Sequence, residues 1–452
     1  MREIVASQVP LVAAPFDHSH ARELQEIGRL LDAHPEAAEW VHTDLVRDCR
    51  DPDAGRRGMS GEQVLRVLLV KQMTGFSYEQ LQFHLADSAS YGAFCRLGLG
   101  TAPKLTTLKR NLKRVRAETL EKIHWLVLQE AQRQGVEKGR KVRVDCTVTE
   151  TLIHEPSDSS LLWDSVRVLT RLLHRGRDLE LVSVPFRDHT RRAKRRAYGI
   201  QNAKTQKART RLYRDLLKVT NATVSCAEQT VVALRAPKAR RPVEYAHAQS
   251  LVNGLVHFIA LARKVIGQTG RRVFLGDHVP AKDKVVSIFE EHTDVIIKDR
   301  RETLYGHKLC LATGASGLVL DCRIEDGNPA DSTLAVEMIE RQSDIYGRVP
   351  RQAAFDGGFA SKDNLARIKE LGVQDVAFAK KRGLKVADMT KSERVYKSLR
   401  CFRAGVEAGI SRLKRCFGLD RCTWRSLESF NAYTWASVLA ANLLTLARHL
   451  LL

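Results

Sequence analysis

The sequence predicts a mixed α/β layer fold that follows one helical region and is interrupted by a second. Apolar residues recur at helical spacing through about the first 135 residues and again from about Ser157 to Gly270. An isolated strand pattern lies between these two stretches. Hairpin strands, followed by alternating strands and helices, fill the last third of the chain, and this order is typical of a layered α/β domain.

The N-terminal region has the spacing of a helix-turn-helix. Gly61–Thr74 repeats apolar residues at helical intervals, and Gly75 ends the repeat. Ser77 with Gln80 three residues later is a capping pair that predicts the start of a second helix. A third helix is expected near residue 106, with a basic surface formed by Lys109, Arg110 and Lys113. This order suits a DNA-reading helix-turn-helix, and a helical bundle with a solvated basic face fits it equally well.

The pattern then changes from helical to strand periodicity. Lys141–Thr149 alternates apolar with polar residues, and Asp145 lies on the polar face. Helical spacing returns near residue 157, and Arg187–Lys218 is strongly basic with two acids, Asp188 and Asp215. A charge run is usually a solvated face, but the scarcity of acids favours a surface that follows DNA phosphates. Its DNA-binding candidates are Arg191, Arg192, Arg195 and Arg196.

The last third of the chain supplies the remaining strands and helices of the core. Strands are expected at Asp294–Lys298, His307–Thr313, Leu318–Ile324, Gln352–Phe355 and Asp375–Ala379. Helices are expected at Leu334–Ile339, Ser361–Leu371 and Phe402–Phe417. We therefore divide the chain into an N-terminal region (1–135), a core (136–152 with 291–452) and a helical, basic insertion (153–290).

Composition narrows the partners and the compartment. Lys and Arg number 74 against 52 acids, a net charge of +22, which favours a polyanionic partner without requiring one. The nine cysteines are an odd number without a CxxC pair, so neither a zinc module nor a disulfide framework fits and a reducing cytoplasm is expected. The apolar run at 430–452 contains Asn431, Asn442 and Arg448, and we expect a buried terminal helix rather than a membrane span.

Three acids are candidates for metal-dependent phosphoryl transfer. Asp145 is in a strand, Asp356 follows a buried strand and precedes two glycines, and Glu407 lies near the buried face of a helix. Each acid alone also has an ordinary structural explanation. Asp145 could lie on the exposed face of a strand, Asp356 could belong to a turn, and Glu407 could form an intrahelical ion pair with Arg403. Together they could hold two Mg²⁺ or Mn²⁺ ions, which prefer carboxylate oxygens. Arg403 and Lys414, on the face of Glu407, would then contact substrate phosphates.

The pattern Arg403-x₃-Glu407-x₆-Lys414 resembles the signature around the last acid of DDE transposases. The chain is most similar to the ISNCY-type insertion-sequence transposases. The segments that carry this resemblance extend from about residue 60 to 425 and include 144–150, 154–166, 279–281, 287–290, 292–294, 305–308, 327–331 and 354–360. DDE transposases commonly have a Tyr three residues before the Arg of this signature, where this chain has Arg400.

The resemblance implies an RNase H-like core, an N-terminal helix-turn-helix and Mg²⁺-dependent strand transfer at terminal inverted repeats of double-stranded DNA. By motif match, Asp145, Asp356 and Glu407 take the catalytic, metal-binding positions, with Asp294 as the substitute for the middle acid. Because two DNA ends react together, a homodimer or larger assembly is expected. The alternatives are a metal-dependent nuclease that does not join strands and a DNA-binding regulator whose acids are structural.

Overall fold

A computed structural model describes residues 3–4, 17–51, 54, 58–98, 100–181, 184–235, 241–298 and 302–452. The chain divides into two compact units. The first unit comprises Met1–Leu152 and Gly306–Leu452, and the second comprises Ile153–Tyr305. The sequence analysis ends the insertion at residue 290, whereas the second unit also includes the strand predicted at Asp294–Lys298.

The first unit begins with a helical bundle. Its helices are α1 (Ser19–Asp32), α2 (Glu36–Val46), α3 (Gly61–Thr74), α4 (Tyr78–Asp87), α5 (Ala89–Phe94), α6 (Leu105–Leu112) and α7 (Ala117–Arg133). The predicted helices at α3, α4 and α6 are confirmed. Ser77 and Gln80 form the predicted capping box, and Gly75 ends α3 in the left-handed conformation, with φ of 68°, which glycine adopts without strain.

After the first core strand, β1 (Lys141–Glu150), the second unit is mainly helical. It contains α8 (Asp158–Asp178), α9 (Thr190–Gln201), α10 (Gln206–Leu234) and α11 (Pro242–Thr269), followed by the strand β2 (Asp294–Lys298). Leu162, Leu216 and Leu255 are fully buried members of a separate apolar core in this unit. The unit therefore has the core that a compact domain requires.

The remaining elements complete the sheet and its covering helices. They are β3 (Glu302–Thr313), β4 (Val319–Ile324), α12 (Asp331–Tyr346), β5 (Gln352–Phe355), α13 (Lys362–Glu370), β6 (Asp375–Phe378), α14 (Val386–Met389), α15 (Glu393–Phe417) and α16 (Leu427–Leu450). All predicted strands are present, although β3 begins five residues earlier than expected. Helix α15 begins at Glu393 instead of Phe402 because Ser392 caps it by accepting a hydrogen bond from the Val395 N–H.

The sheet combines parallel and antiparallel strands. β1 pairs antiparallel with β3 and parallel with β5; β4 pairs antiparallel with β3, and β6 pairs parallel with β5. The order β4–β3–β1–β5–β6 combines an antiparallel meander with two parallel strands, and β2 also pairs with β3. This confirms a mixed α/β fold consistent with an RNase H-like core.

The two most apolar helices have different surroundings. Helix α16 is buried along most of its length, from Phe430 to Ala447, so the predicted buried terminal helix is confirmed. By length and composition alone, Pro242–Leu275 is long and apolar enough to cross a membrane, and 28% of its most apolar stretch is buried. A core helix can pass the same test, so one such helix among the described residues does not establish a membrane span.

Candidate active site

The parallel register of β1 and β5 places two acids at neighbouring positions. Val144 pairs with Phe355 across the two strands. The residue that follows each of them is an aspartate, Asp145 after Val144 and Asp356 after Phe355. Asp145 continues β1, whereas Asp356 directly follows the end of β5 and begins a short turn. Because neighbouring strands are about 4.8 Å apart, the two side chains start close together at this edge of the sheet.

Helix α15 packs over β1, β5 and β6 and brings the third acid to this edge. Val406, Leu413 and Phe417 are buried on its inner face. Glu407 follows Val406, and its side chain is 68% exposed. The sequence analysis places Glu407 at the edge of the buried face, whereas the structure leaves its side chain largely in solvent.

The guanidinium group of Arg403 contacts all three acids. Its Nη2 lies 2.9 Å from Asp145 Oδ2 and 2.9 Å from Asp356 Oδ1, and its Nη1 lies 2.9 Å from Glu407 Oε1. We call these four residues the acid centre. Arg403 and Asp145 are largely buried, with side chains 16% and 13% exposed, so this is more than the intrahelical ion pair considered from the sequence.

Burial and charge act in opposite directions on Asp145. Burial raises the pKa of its carboxyl to about 6, the guanidinium of Arg403 and the Cys146 N–H act to lower it, and the nearby Asp356 adds to the rise. The Cys146 N–H donates to Asp145 Oδ1 over 2.8 Å, so both carboxylate oxygens have partners. A nearby cation favours the ionised form of a buried carboxyl group beside another one, and Arg403 supplies that cation here.

The acid centre fits a divalent metal by its chemistry. All three acids offer hard oxygen donors of the kind that Mg²⁺ and Mn²⁺ prefer, and they already converge on one cation. The described residues contain no group of three acidic, His or Cys side chains that could hold a metal as they stand. The guanidinium lies between the carboxylates, so the metal ligands would become available when Arg403 moves away from them.

Arg143 was not singled out from the sequence, yet it fixes α15 to the sheet. It lies two residues before Asp145 on the same face of β1. Its Nε donates to Thr313 Oγ1 over 2.9 Å, and its Nη1 donates to the Phe402 carbonyl over 2.8 Å. A Cβ at Gly405 would collide with this guanidinium. Arg143 could have been found from the sequence because it is a second charged side chain on the face of β1 that carries Asp145.

The two glycines after Asp356 are required for close approach. A glycine pair after a strand suggests a sharp turn, but neither Gly357 nor Gly358 has a positive φ. A Cβ on Gly357 would lie 2.8 Å from Lys380 Cγ, and a Cβ on Gly358 would collide with the carboxylate of Asp331. Both neighbours therefore pack directly against the backbone that follows the acid.

Two other predicted residues lie elsewhere. Lys414 Nζ is 3.7 Å from Asp420 Oδ1, and no contact joins Lys414 to the three acids of the acid centre among the described residues. Asp294, the substitute for the middle acid, is the first residue of β2 and belongs to the second unit. The acids that contact Arg403 are thus the three selected first from the sequence.

The predicted DNA-binding residues lie on two helical surfaces. Lys109 and Arg110 on α6, and Lys113 at its C-terminal end, are exposed, and Lys109 is 3.4 Å from Glu79. On α9, Arg191 and Arg195 are exposed, whereas Arg192 and Arg196 both pair with Asp215. Helix α4 carries no Lys or Arg, so the basic surface of this region belongs to α6.

Two stretches of the chain match known families. Residues 15–114 match the family described as Transposase domain (DUF772), and residues 283–443 match the family described as Transposase DDE domain. The second match includes Asp356, Arg403 and Glu407, whereas Asp145 lies outside both matched ranges. Comparisons with curated proteins and with solved structures give no match.

Proposed function

We propose that this chain, which matches a Transposase DDE domain and a transposase domain, is a DDE transposase of the ISNCY type that cleaves DNA at the terminal inverted repeats of its insertion sequence and joins the ends to target DNA. In this proposal Asp145, Asp356 and Glu407 are the catalytic acids and hold two Mg²⁺ or Mn²⁺ ions. The reaction would take place in the cytoplasm, on the bacterial nucleoid, with the protein acting as a homodimer or a larger synaptic complex.

The convergence of three carboxylates on Arg403 is the observation that supports this chemistry. With all acids ionised, three negative charges face one positive charge, so the acid centre favours further cations. When bound, two divalent ions supply an activated water or 3′-hydroxyl and a stabilised leaving oxygen. The carboxylates that would hold these ions belong to Asp145 on a strand, Asp356 after a strand and Glu407 on a helix.

Arg403 would then change partners. Its Nε is buried and has no hydrogen-bond partner, so one donor of the fork is already unused. A guanidinium binds phosphate through two parallel hydrogen bonds. We therefore assign to Arg403 a transfer from the carboxylates to a phosphate of the DNA, which exposes the acids. Arg143 keeps α15 on the sheet while this happens, because its contacts are with Phe402 and Thr313.

The decisive experiment is a strand-transfer assay with end-labelled duplexes that carry the DNA flanking the gene, with Mg²⁺ and a plasmid target. We expect the wild type to cut and join the labelled end and Asp356→Ala to do neither. Asp363→Ala replaces an exposed acid in the first turn of α13 and serves as the matched control. Cut ends without joined product would identify the nuclease alternative. DNA binding without cleavage in the wild type would identify the regulator.

A further inference from the structure

A second basic surface lies beside the acid centre. Between Lys380 and Arg400 the chain has eight Lys or Arg residues against two acids, Asp388 and Glu393. We call seven of these basic residues the β6–α15 basic surface; they are Lys380, Lys381, Arg382, Lys385, Arg394, Lys397 and Arg400. All seven are exposed, and within the described part of the chain none has a side-chain hydrogen bond or ion pair.

Tyr396 joins the loop after β6 to helix α15 and brings two of these cations together. Its ring is buried, and its hydroxyl donates to the Phe378 carbonyl at the end of β6 over 3.0 Å. Lys381 Nζ lies 5.2 Å from the ring centroid, and the Arg400 guanidinium lies 6.0 Å from it. Two like charges therefore share one ring, and within the described part of the chain neither has an ion pair with an acid, so an anion would relieve their repulsion.

The same surface continues to the catalytic acids. The stem of Lys380 packs against Gly357, the residue that follows Asp356. On α15, Tyr396, Arg400, Arg403 and Glu407 follow the i, i+4, i+7, i+11 spacing of one helix face. A strand held at the acid centre would therefore pass near Lys380, beside Gly357, and near Arg400, one turn before Arg403 on α15.

We propose that the β6–α15 basic surface binds the phosphodiester backbone of the DNA next to the scissile phosphate. This inference rests on the proposed function for the identity of the substrate. It adds a phosphate-binding surface distinct from the basic surfaces of α6 and α9. The DNA could be the element end or the target, which share the same backbone chemistry, and the second experiment below separates these two sources.

The first test is DNA binding without metal, so that it does not depend on catalysis. We compare the wild type with Lys381→Gln/Arg400→Gln on a random-sequence duplex over a range of salt concentrations. Each lost phosphate contact should reduce the slope of log affinity against log salt by about 0.9. We expect a slope smaller by about one to two and an affinity several-fold lower.

The controls separate location from charge and from folding. Lys138→Gln/Arg140→Gln removes two exposed positive charges just before β1, at the sheet end opposite Asp356, and should leave the slope nearly unchanged. Lys381→Arg/Arg400→Lys keeps both charges and should restore the slope. Lys385→Gln/Lys397→Gln removes two charges that do not contact Tyr396, so it should weaken binding even if the first variant misfolds. If the salt slope is unchanged in both Lys381→Gln/Arg400→Gln and Lys385→Gln/Lys397→Gln, the proposal is overturned.

The second experiment identifies the DNA. The joining assay uses a precut labelled element end and a plasmid target, and it compares the wild type with Lys381→Gln/Arg400→Gln. If the surface contacts the target, the variant needs a higher target concentration for half-maximal joining and its binding to the element end is unchanged. Loss of element-end contacts weakens end binding instead. Either change supports the proposed surface, and no change in either contradicts it. A wild type that binds DNA with the expected slope but never cleaves would contradict the proposed function alone.

Discussion

Arg403 in the first unit and Asp215 in the second are each surrounded by side chains of opposite charge. The net charges of the two clusters differ in sign. Three carboxylates contact Arg403, an excess of two negative charges when all are ionised. Two guanidinium groups, those of Arg192 and Arg196, contact Asp215, an excess of one positive charge. We call this second cluster the arginine clamp. The acid centre therefore favours additional cations, and the arginine clamp favours an anion such as phosphate.

Burial separates the two clusters further. At the acid centre, burial raises the pKa of Asp145 to about 6 despite the adjacent guanidinium. At the arginine clamp, hydrogen bonds from Arg192 and Arg196 lower the pKa of Asp215 to about 2, and the arginine side chains are about 40% exposed. Water can replace much of the pairing in the clamp, whereas Asp145 and Arg403 of the acid centre are largely out of water, so their pairing is screened less.

The largest expected effect comes from neutralising the buried acid. Asp145→Asn removes a proposed metal ligand, and metal catalysis of phosphoryl transfer contributes several kcal/mol. We expect cleavage to fall by about 10³-fold or more, with DNA binding intact or stronger because one negative charge near the phosphate is gone. Asp420→Asn, an exposed acid near Lys414, is the control and should retain activity. Parallel loss of binding and cleavage would indicate that Asp145 is structural.

Removing the resident cation should reverse the balance of the acid centre. Arg403→Gln leaves three carboxylates without a counter-charge, and we expect a loss of about 1–2 kcal/mol in the free energy of unfolding, less than for a fully buried pair. Mg²⁺ should then bind more tightly than to the wild type and raise the melting temperature more. Calorimetric titration of Mg²⁺ in the absence of DNA measures this directly.

Arg412→Gln is the matched control for Arg403. It removes another partly buried arginine of α15, whose Nη1 donates to Thr445 Oγ1 over 2.9 Å and which has no contact with the acid centre. Its Mg²⁺ affinity should equal that of the wild type. If Arg403→Gln binds Mg²⁺ no better than Arg412→Gln, Arg403 does not compete with the metal for the acids.

The arginine clamp offers a smaller effect of opposite sign. Asp215→Asn frees Arg192 and Arg196, and we expect DNA affinity to rise several-fold and the salt slope to steepen by up to about 2. Glu228→Gln adds the same charge elsewhere in the second unit, where it frees Arg263. Equal gains in both variants would attribute the effect to net charge and would remove the case for a specific phosphate site at α9.

The sequence was sufficient for features that depend on local periodicity. The strand pattern around Asp145 and the glycine stop after α3 require only neighbouring residues, and both are observed. The contacts of Arg403 are different, because two of its three acid partners come from β1 and β5 and meet it only when the sheet has formed. The register of β1 and β5 could have suggested the Asp145–Asp356 pair, since both acids follow paired residues.

Several features could not be derived from spacing. Lys414 follows the helical face of Glu407, yet it pairs with Asp420 after the helix ends at Gly418, where the chain turns back. The β6–α15 basic surface is not visible in the sequence pattern because its cations lie on a loop and on a separate helix. Tyr396 joins them through a hydrogen bond to β6, and no periodicity reports such a contact.

The smallest effect concerns a third ion cluster, at Asp164 in the second unit. Its buried carboxylate contacts His154 Nε2 over 2.7 Å and the Arg167 Nη2 over 2.7 Å. The hydrogen bond to Asp164 raises the pKa of His154. Stability from this pair is therefore fully present below the unfolded pKa, about 6.5, and is lost as pH rises through the higher folded value.

Guanidinium unfolding at pH 6 and pH 8 measures this contribution. We expect the wild type to lose more stability than His154→Asn between the two values, by about 0.2–1 kcal/mol, because the histidine side chain is half exposed. His257→Asn removes an exposed imidazole that, among the described residues, has a ring contact with Phe258 but no carboxylate partner, so it controls for loss of the ring. If His154→Asn follows the wild type at both pH values, Asp164 is neutralised by Arg167 alone. Between these two pH values the Asp164 cluster would then draw its stability from one acid and one cation, whereas the arginine clamp has two cations for one acid.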